Sequence, residues 1–143
     1  MALSYNRLTS GRRLDRLAAL SDGVFAIAMT LIVLEIHVPD AGPIRSEQDL
    51  WNALVGLGPR LVTYLLSFLT LGIFWNGQQT QLNLFASADR DLSWLQLAFL
   101  ATIALMPFST SLLAEFITYR LALLAYWANI FAIAPKIPYL SRI

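Results

Sequence analysis

The sequence has 143 residues, of which 57% are hydrophobic and only 13% are charged. Because a soluble domain carries about 25% charged residues, this composition indicates an integral membrane protein. The formal net charge of +1, without a basic run, argues against nucleic-acid binding. A chain without cysteine has no disulfide and no thiolate metal site. We therefore predict an all-α, polytopic membrane bundle that forms one transmembrane domain over residues 1–143.

Four apolar segments predict about four transmembrane helices, since about 20 apolar residues are needed to cross the hydrocarbon core. The predicted helices cover residues 17–36, 58–78, 92–114 and 117–134. Pro135 and Pro138 are expected to end the fourth helix. Residues 38–50 contain two prolines and a glycine and are predicted to form a short external connection.

The distribution of arginine predicts the orientation in the membrane. Arg7, Arg12, Arg13 and Arg16 precede the first helix, whereas the loop at 38–50 holds one arginine against three acidic residues. The positive-inside rule then places the N-terminus in the cytoplasm, and an even number of spans returns the C-terminus to the same side. A cleaved signal peptide is the alternative interpretation, but no A-x-A site follows the apolar run.

The sequence carries no pattern typical of an enzyme. His37 is the only histidine, and Ser21–Asp22 has no nearby base that would complete a triad. Walker and dinucleotide-binding motifs are absent, as is a TVGYG-like potassium filter. We predict a protein that is not an enzyme and that has neither a metal site nor a cofactor.

Polar residues stand inside the first predicted helix. An acidic side chain in the membrane costs about 2.5–3.5 kcal/mol and rarely faces lipid, so Asp22 needs a partner. The candidate donors, at the end of the second predicted helix, are Trp75, Asn76, Gln78 and Gln79. Three roles are open for Ser21 and Asp22: a structural clamp between helices, an N-cap of the first span, or a proton relay.

The second half of that helix presents an aliphatic stripe. Ile27, Leu31 and Leu34 stand at i, i+4 and i+7, with Thr30 beside them. Around the axis of an oligomer these residues would form apolar rings that gate by dewetting, next to a ring of hydroxyls. Glu35 would then lie near the outer mouth and concentrate cations. The alternative is an ordinary packing face.

These residues carry a family resemblance. RLAALSDGVFAIAMTLIVLEI, at residues 16–36, closely resembles the R-x-x-x-F-S-D signature and pore helix of the endosomal/lysosomal-type potassium channels, which lack a TVGYG filter. Trp75 matches the W-x-x-H-H motif of that family, and residues 88–110 resemble a stretch that ends in a Pro-Phe pair. Tyr126 and Asn129 fit the fourth helix of the family.

The resemblance implies a homotetrameric, potassium-permeable cation channel, most similar to the bacterial members and so expected in a bacterial plasma membrane. It implies that the first helix lines the pore and that isoleucine and leucine rings form a hydrophobic gate. The implied pore-lining residues are Ile27, Thr30, Leu31 and Leu34, with Ile27 as the first ring and Thr30 matching a threonine implicated in selectivity. The implied structural polar contacts are those of Arg16, Ser21, Asp22 and Trp75.

The sequence departs from the family in three places. Leu20 replaces the phenylalanine of the signature, and Gln78 and Gln79 replace its histidine pair. The family unit has six helices, whereas four are predicted here before the chain ends in PKIPYLSRI, so a truncated chain is expected. The alternative functions are therefore a non-conducting channel fragment, a membrane assembly partner, or a proton-coupled transporter that uses Asp22 and Glu35.

Overall fold

The computed structural model describes residues 2–84 and 90–133, and within these ranges every regular element is a helix. The helices are α1 (Ala2–Val33), α2 (Glu47–Gly56), α3 (Gly58–Leu84), α4 (Arg90–Ala104), α5 (Met106–Glu115) and α6 (Arg120–Ile133). The prediction of an all-α membrane fold is confirmed.

Three segments are long and apolar enough to cross a membrane. They are Gly11–Val33, Gly58–Asn83 and Ser93–Glu115. The fourth predicted span corresponds to α6, whose 14 residues reach about 21 Å, against a hydrocarbon core of about 30 Å. The predicted end of that span at residue 134 and the two prolines beyond it lie outside the described residues.

The first helix is longer at its start than the predicted range of 17–36. It begins at Ala2 and ends at Val33, after which the Glu35 and Ile36 backbone N–H groups donate to carbonyls three residues back. Hydropathy predicted only the apolar part, whereas a helix continues into water wherever its backbone groups stay paired. Because Ser21 and Asp22 lie deep inside α1, the N-cap interpretation is wrong.

The third predicted helix, 92–114, is interrupted at Leu105. Pro107 has no backbone N–H, so it cannot donate to the carbonyl of Ile103 four residues before it. The chain stays helical on both sides, since Leu105 N–H donates to Ala101 O at 3.2 Å. The result is two helices, α4 and α5, in place of one.

The predicted connection at 38–50 contains the start of a short helix, α2. The Ser46 hydroxyl oxygen accepts from Asp49 N–H at 3.1 Å and caps its N-terminus. Arg45 N–H donates to the Asp49 carboxylate at 3.2 Å. Hydrogen bonds from the Ser46 side chain and then from the Arg45 backbone lower the pKa of the Asp49 carboxyl below its usual value.

The core forms where one face of α1 packs against α3, α4 and α5. Phe25 and Phe99 meet with ring centroids 6.1 Å apart. The buried cluster around this pair contains Ala28, Ile32, Leu71, Ile103, Met106, Tyr126 and Ile133. Glu35, Arg60 and Glu115 line one cavity, so the end of α1, the start of α3 and the end of α5 lie together. We call this the α2 end of the bundle, because α2 immediately precedes α3.

Candidate functional site

Helix α1 has two apolar faces with different surroundings. At about 100° per residue, its buried side chains fall within a sector of about 80°. They are Leu17, Ser21, Phe25, Ala28 and Ile32. The predicted stripe is centred about 110° from the middle of this sector. Its exposed fractions are 60% for Ile27, 44% for Leu31 and 66% for Leu34. A membrane helix with one buried and one exposed apolar face has a second surface available for lipid, a partner or a pore.

Thr30 lies on the exposed side of α1, beside this stripe. Its hydroxyl is within 2.9 Å of the carbonyl oxygens of Ala26 and Ile27, one turn earlier, and donates to the backbone. A hydroxyl oxygen that donates its proton keeps its lone pairs as acceptors. Thr30 therefore presents an oxygen on the same side of α1 as the aliphatic stripe.

Asp22 is hydrogen-bonded to two donors on α3. Trp75 Nε1 donates to Asp22 Oδ1 at 2.8 Å, and Gln79 Nε2 donates to the same oxygen at 2.5 Å. Because Trp75 and Gln79 are four residues apart, they project from one face of α3. The carboxylate thus joins α1 to α3 by charge-assisted hydrogen bonds.

Ser21 makes the adjacent buried contact between the same helices. Its hydroxyl donates to Gln78 Oε1 at 2.7 Å, and both side chains are buried. Asn76, the fourth candidate donor from the sequence, is exposed, and the donors to Asp22 among the described residues are Trp75 and Gln79. We name the set of Ser21, Asp22, Trp75, Gln78 and Gln79 the α1–α3 clamp.

The remaining sequence-predicted residues lie apart from the clamp. Arg16 is exposed, and among the side chains that the structure describes it forms no ion pair. Glu35 follows the end of α1 at the α2 end of the bundle, where His37 Nδ1 lies 3.0 Å from its carbonyl oxygen. Glu35 lines an open cavity of about 290 Å³ together with Arg60 and Glu115, which form an ion pair at 2.5 Å.

A buried polar network that the sequence did not predict joins α3, α5 and α6. Ser67 Oγ lies 3.1 Å from the Tyr126 hydroxyl and accepts from Thr110 Oγ1 at 2.8 Å. Asn129 Nδ2 donates to Ser109 Oγ at 2.9 Å. The one sequence signal for this polar network is the presence of isolated serines and threonines in apolar helices. Such hydroxyls require hydrogen-bond partners when they are buried.

Among the residues described, no three His, Asp or Glu side chains are grouped as a metal site would require. The polar groups described above instead fasten helices to each other: the hydroxyls, the amides and Asp22, together with the Arg60–Glu115 ion pair between α3 and α5. The fold and this site define a class: a polytopic α-helical membrane protein whose first helix is fastened by polar contacts and keeps an exposed apolar face.

Comparison with known proteins gives the family. Residues 16–107 match the model of the endosomal/lysosomal potassium channel TMEM175 family, and the chain belongs to that family. A potassium channel of Streptomyces collinus is 43% identical over 103 residues, which are 71% of this chain and 48% of that protein. A potassium channel of Chamaesiphon minutus is 35% identical over 117 residues, 82% of this chain and 56% of that protein.

A solved structure and a vertebrate relative extend the comparison. The crystal structure of a lysosomal potassium-selective channel TMEM175 homolog from Chamaesiphon minutus superposes with a TM-score of 0.78 at 34% identity. The match covers 86% of this chain and 66% of that one. The human endosomal/lysosomal proton channel TMEM175 is 35% identical over 98 residues, 65% of this chain and 19% of that protein. The chain spans about half the length of the bacterial relatives that it matches, 48% and 56%.

Proposed function

We propose that this chain forms a potassium-permeable cation channel, as a homotetramer whose pore is lined by α1. The observation that carries the proposal is the exposed aliphatic face of α1, which is separate from the face that packs into the core. Family membership supports it, because the bacterial relatives are named potassium channels. The activity requires no catalytic group, which fits a family of channels.

In this proposal the apolar residues form the gate. Four copies of Ile27 around a central axis make a ring of branched side chains, and Leu31 and Leu34 make further rings. Such a constriction blocks ions when it dewets and conducts when it widens and fills with water. The four Thr30 hydroxyls supply oxygen ligands for an ion that has shed part of its hydration shell.

The α1–α3 clamp holds this helix in place. Asp22 accepts hydrogen bonds from Trp75 and Gln79, and these contacts support a structural role over a proton relay. Arg16 belongs to the same motif and, with Arg12 and Arg13, gives the N-terminal end of α1 a positive charge. We infer from that charge that this end faces the cytoplasm of a bacterial cell and that Glu35 stands at the outer mouth.

Reconstitution into potassium-loaded liposomes tests the proposal. The protein is first purified and its oligomer measured by native mass spectrometry, where a tetramer has four times the chain mass of 16.0 kDa. We expect potassium efflux down its gradient without any proton gradient. A verified tetramer that passes no potassium would contradict the proposal and support the alternative of a non-conducting fragment or assembly partner.

The same liposomes distinguish the proposed channel from a second candidate, a proton-coupled transporter. Vertebrate relatives are named proton channels, so a pH-sensitive dye inside the vesicles is read in parallel with potassium efflux. Potassium efflux that is unchanged by collapsing the proton gradient supports the channel. Potassium movement that occurs only with an opposing proton gradient supports the transporter that the sequence left open.

A further inference from the structure

Helix α2 lies outside the core and has an unpartnered apolar face. None of its residues is buried, and its main packing contact is with α3. At about 100° per residue, its four large apolar side chains fall within a sector of about 140°. They are Leu50, Trp51, Leu54 and Val55, of which Trp51 is 63% and Val55 61% exposed.

Most polar residues of α2 lie outside this sector, although Glu47, in the first turn, falls within it. Gln48 Nε2 donates to Asn52 Oδ1 at 3.2 Å outside the sector, and Asp49 lies next to this pair at the capped N-terminus. A short helix with apolar side chains on one side, a tryptophan among them, and amides and the Asp49 carboxylate on the other is the pattern of a helix that lies in a membrane interface.

The position of α2 in the chain places it at that interface. It ends at Gly56, and the membrane-spanning helix begins at Gly58, only two residues later. Because α2 ends two residues before a helix that is long and apolar enough to span a membrane, α2 lies near the level at which the chain would enter the bilayer. Helix α2 is capped by Ser46 at its N-terminal end and continues into α3 at its C-terminal end, so it has little freedom to move away from the membrane surface.

The charge of α2 specifies the kind of lipid surface. Glu47 and Asp49 are its charged residues, and it has no lysine or arginine. Like charges repel across the interface, so an anionic surface opposes its insertion and a zwitterionic one does not. We propose that α2 is an interfacial anchor whose Leu50–Trp51–Leu54–Val55 face inserts into the zwitterionic headgroup region of the leaflet at the α2 end. This inference goes beyond the proposed channel function and does not depend on ion flux.

Site-directed fluorescence tests the anchor in the 143-residue chain. The chain has no cysteine, so a single cysteine at one position takes an environment-sensitive dye without background. Leu54→Cys and Val55→Cys report the apolar face, and Asn52→Cys is the matched control about 130° from its centre. Each labelled protein is reconstituted into phosphatidylcholine vesicles and exposed to lipids with a shallow nitroxide or to aqueous iodide.

We expect the lipid nitroxide to quench the dyes at 54 and 55 about twofold more than the dye at 52, and iodide to show the reverse order. Equal iodide quenching at all three positions would overturn the proposal, because the face would then be in water. Protection of 54 and 55 from both quenchers would also overturn it, because the face would then be covered by protein. Because the dye is read without a potassium gradient, failure here leaves the channel proposal untouched.

The preference of α2 for a zwitterionic surface is tested by changing the lipid composition of the vesicles. We expect nitroxide quenching at position 54 to fall when phosphatidylglycerol replaces half of the phosphatidylcholine, and to recover at high salt, which screens the repulsion. Quenching that rises with phosphatidylglycerol would contradict the assignment to a zwitterionic surface.

Discussion

Asp22 is held by two α3 side chains, and the hydrogen bond from Trp75 can be removed without removing the aromatic bulk. We expect Trp75→Phe to lower the stability of the detergent-solubilised protein by about 1 kcal/mol, because the bond is charge-assisted but exposed. Thermal unfolding followed by circular dichroism measures the effect. Trp94→Phe on α4 is the matched control, since Trp94 is also exposed. Equal losses in the two variants would show that the Asp22 contact contributes nothing.

Ser67 and Tyr126 allow a double-mutant cycle inside the membrane. Ser67→Ala leaves the Tyr126 hydroxyl without this buried partner, and we expect a loss of about 1–3 kcal/mol. Tyr126→Phe removes the other side of the same contact. The double variant should lose less than the sum of the two single losses, because the removed interaction is shared. Strict additivity would mean that the two hydroxyls do not interact.

The sequence predicted which groups would surround Asp22 but not how they would be distributed. Four donors follow one another at the end of the second span, and a helix places Trp75 and Gln79 on one face and Gln78 beside it. Which of them meets Asp22 and which meets Ser21 depends on the rotation of α3 against α1. The network of Ser67, Thr110 and Tyr126 depends on three helices together, so no local pattern indicates it.

Among the elements, α2 should have a stability that responds to pH, through Asp49. The pKa of Asp49 is lowered in the folded helix, so its contribution is present above the unfolded pKa of about 3.9 and is lost as pH falls through the folded value. We expect hydrogen-exchange protection of the α2 amides to be constant near neutral pH and to decrease at strongly acidic pH.

Asp49→Asn should flatten this pH response, whereas Glu47→Gln, at the neighbouring first-turn position, should retain it. Ser46→Ala removes the cap and should weaken α2 by about 1 kcal/mol. If Asp49→Asn left the acid-induced decrease unchanged, the titrating group would lie elsewhere.

Hydropathy was sufficient for the membrane class and for the long helices but not for breaks within them. A proline can lie in the first turn of a new helix or inside a kinked continuous helix, and the sequence alone does not distinguish these two cases. Pro107 therefore did not by itself predict that the segment divides into α4 and α5. The α2 helix was missed because glycine and proline dominate the segment before it, and its 10 residues are short for a periodic pattern. The capping pair Ser46 and Asp49 was the signal available.

For the molecule as a whole, the exposed face of α1 decides whether the first helix is interpreted as a packing helix or as a pore helix. The core uses the sector of α1 that contains Phe25 and Ile32, and the sector with Ile27 and Leu34 is exposed in the single chain. The sequence predicted the stripe but could not separate a packing face from a pore face, because both are apolar and both repeat every turn. Placement of the stripe outside the core removes packing among the described helices as its explanation.

The most direct test of the pore face compares two identical substitutions on different helices. Ile27→Asn places an amide in the proposed constriction, whereas Ile73→Asn places it on α3, where Ile73 is 71% exposed. We expect Ile27→Asn to change potassium efflux from liposomes by about tenfold, an increase equivalent to about 1.4 kcal/mol of barrier, because a polar ring resists dewetting. Ile73→Asn should conduct as the unmodified protein does. Equal efflux from both variants, in verified tetramers, would contradict a pore lined by α1.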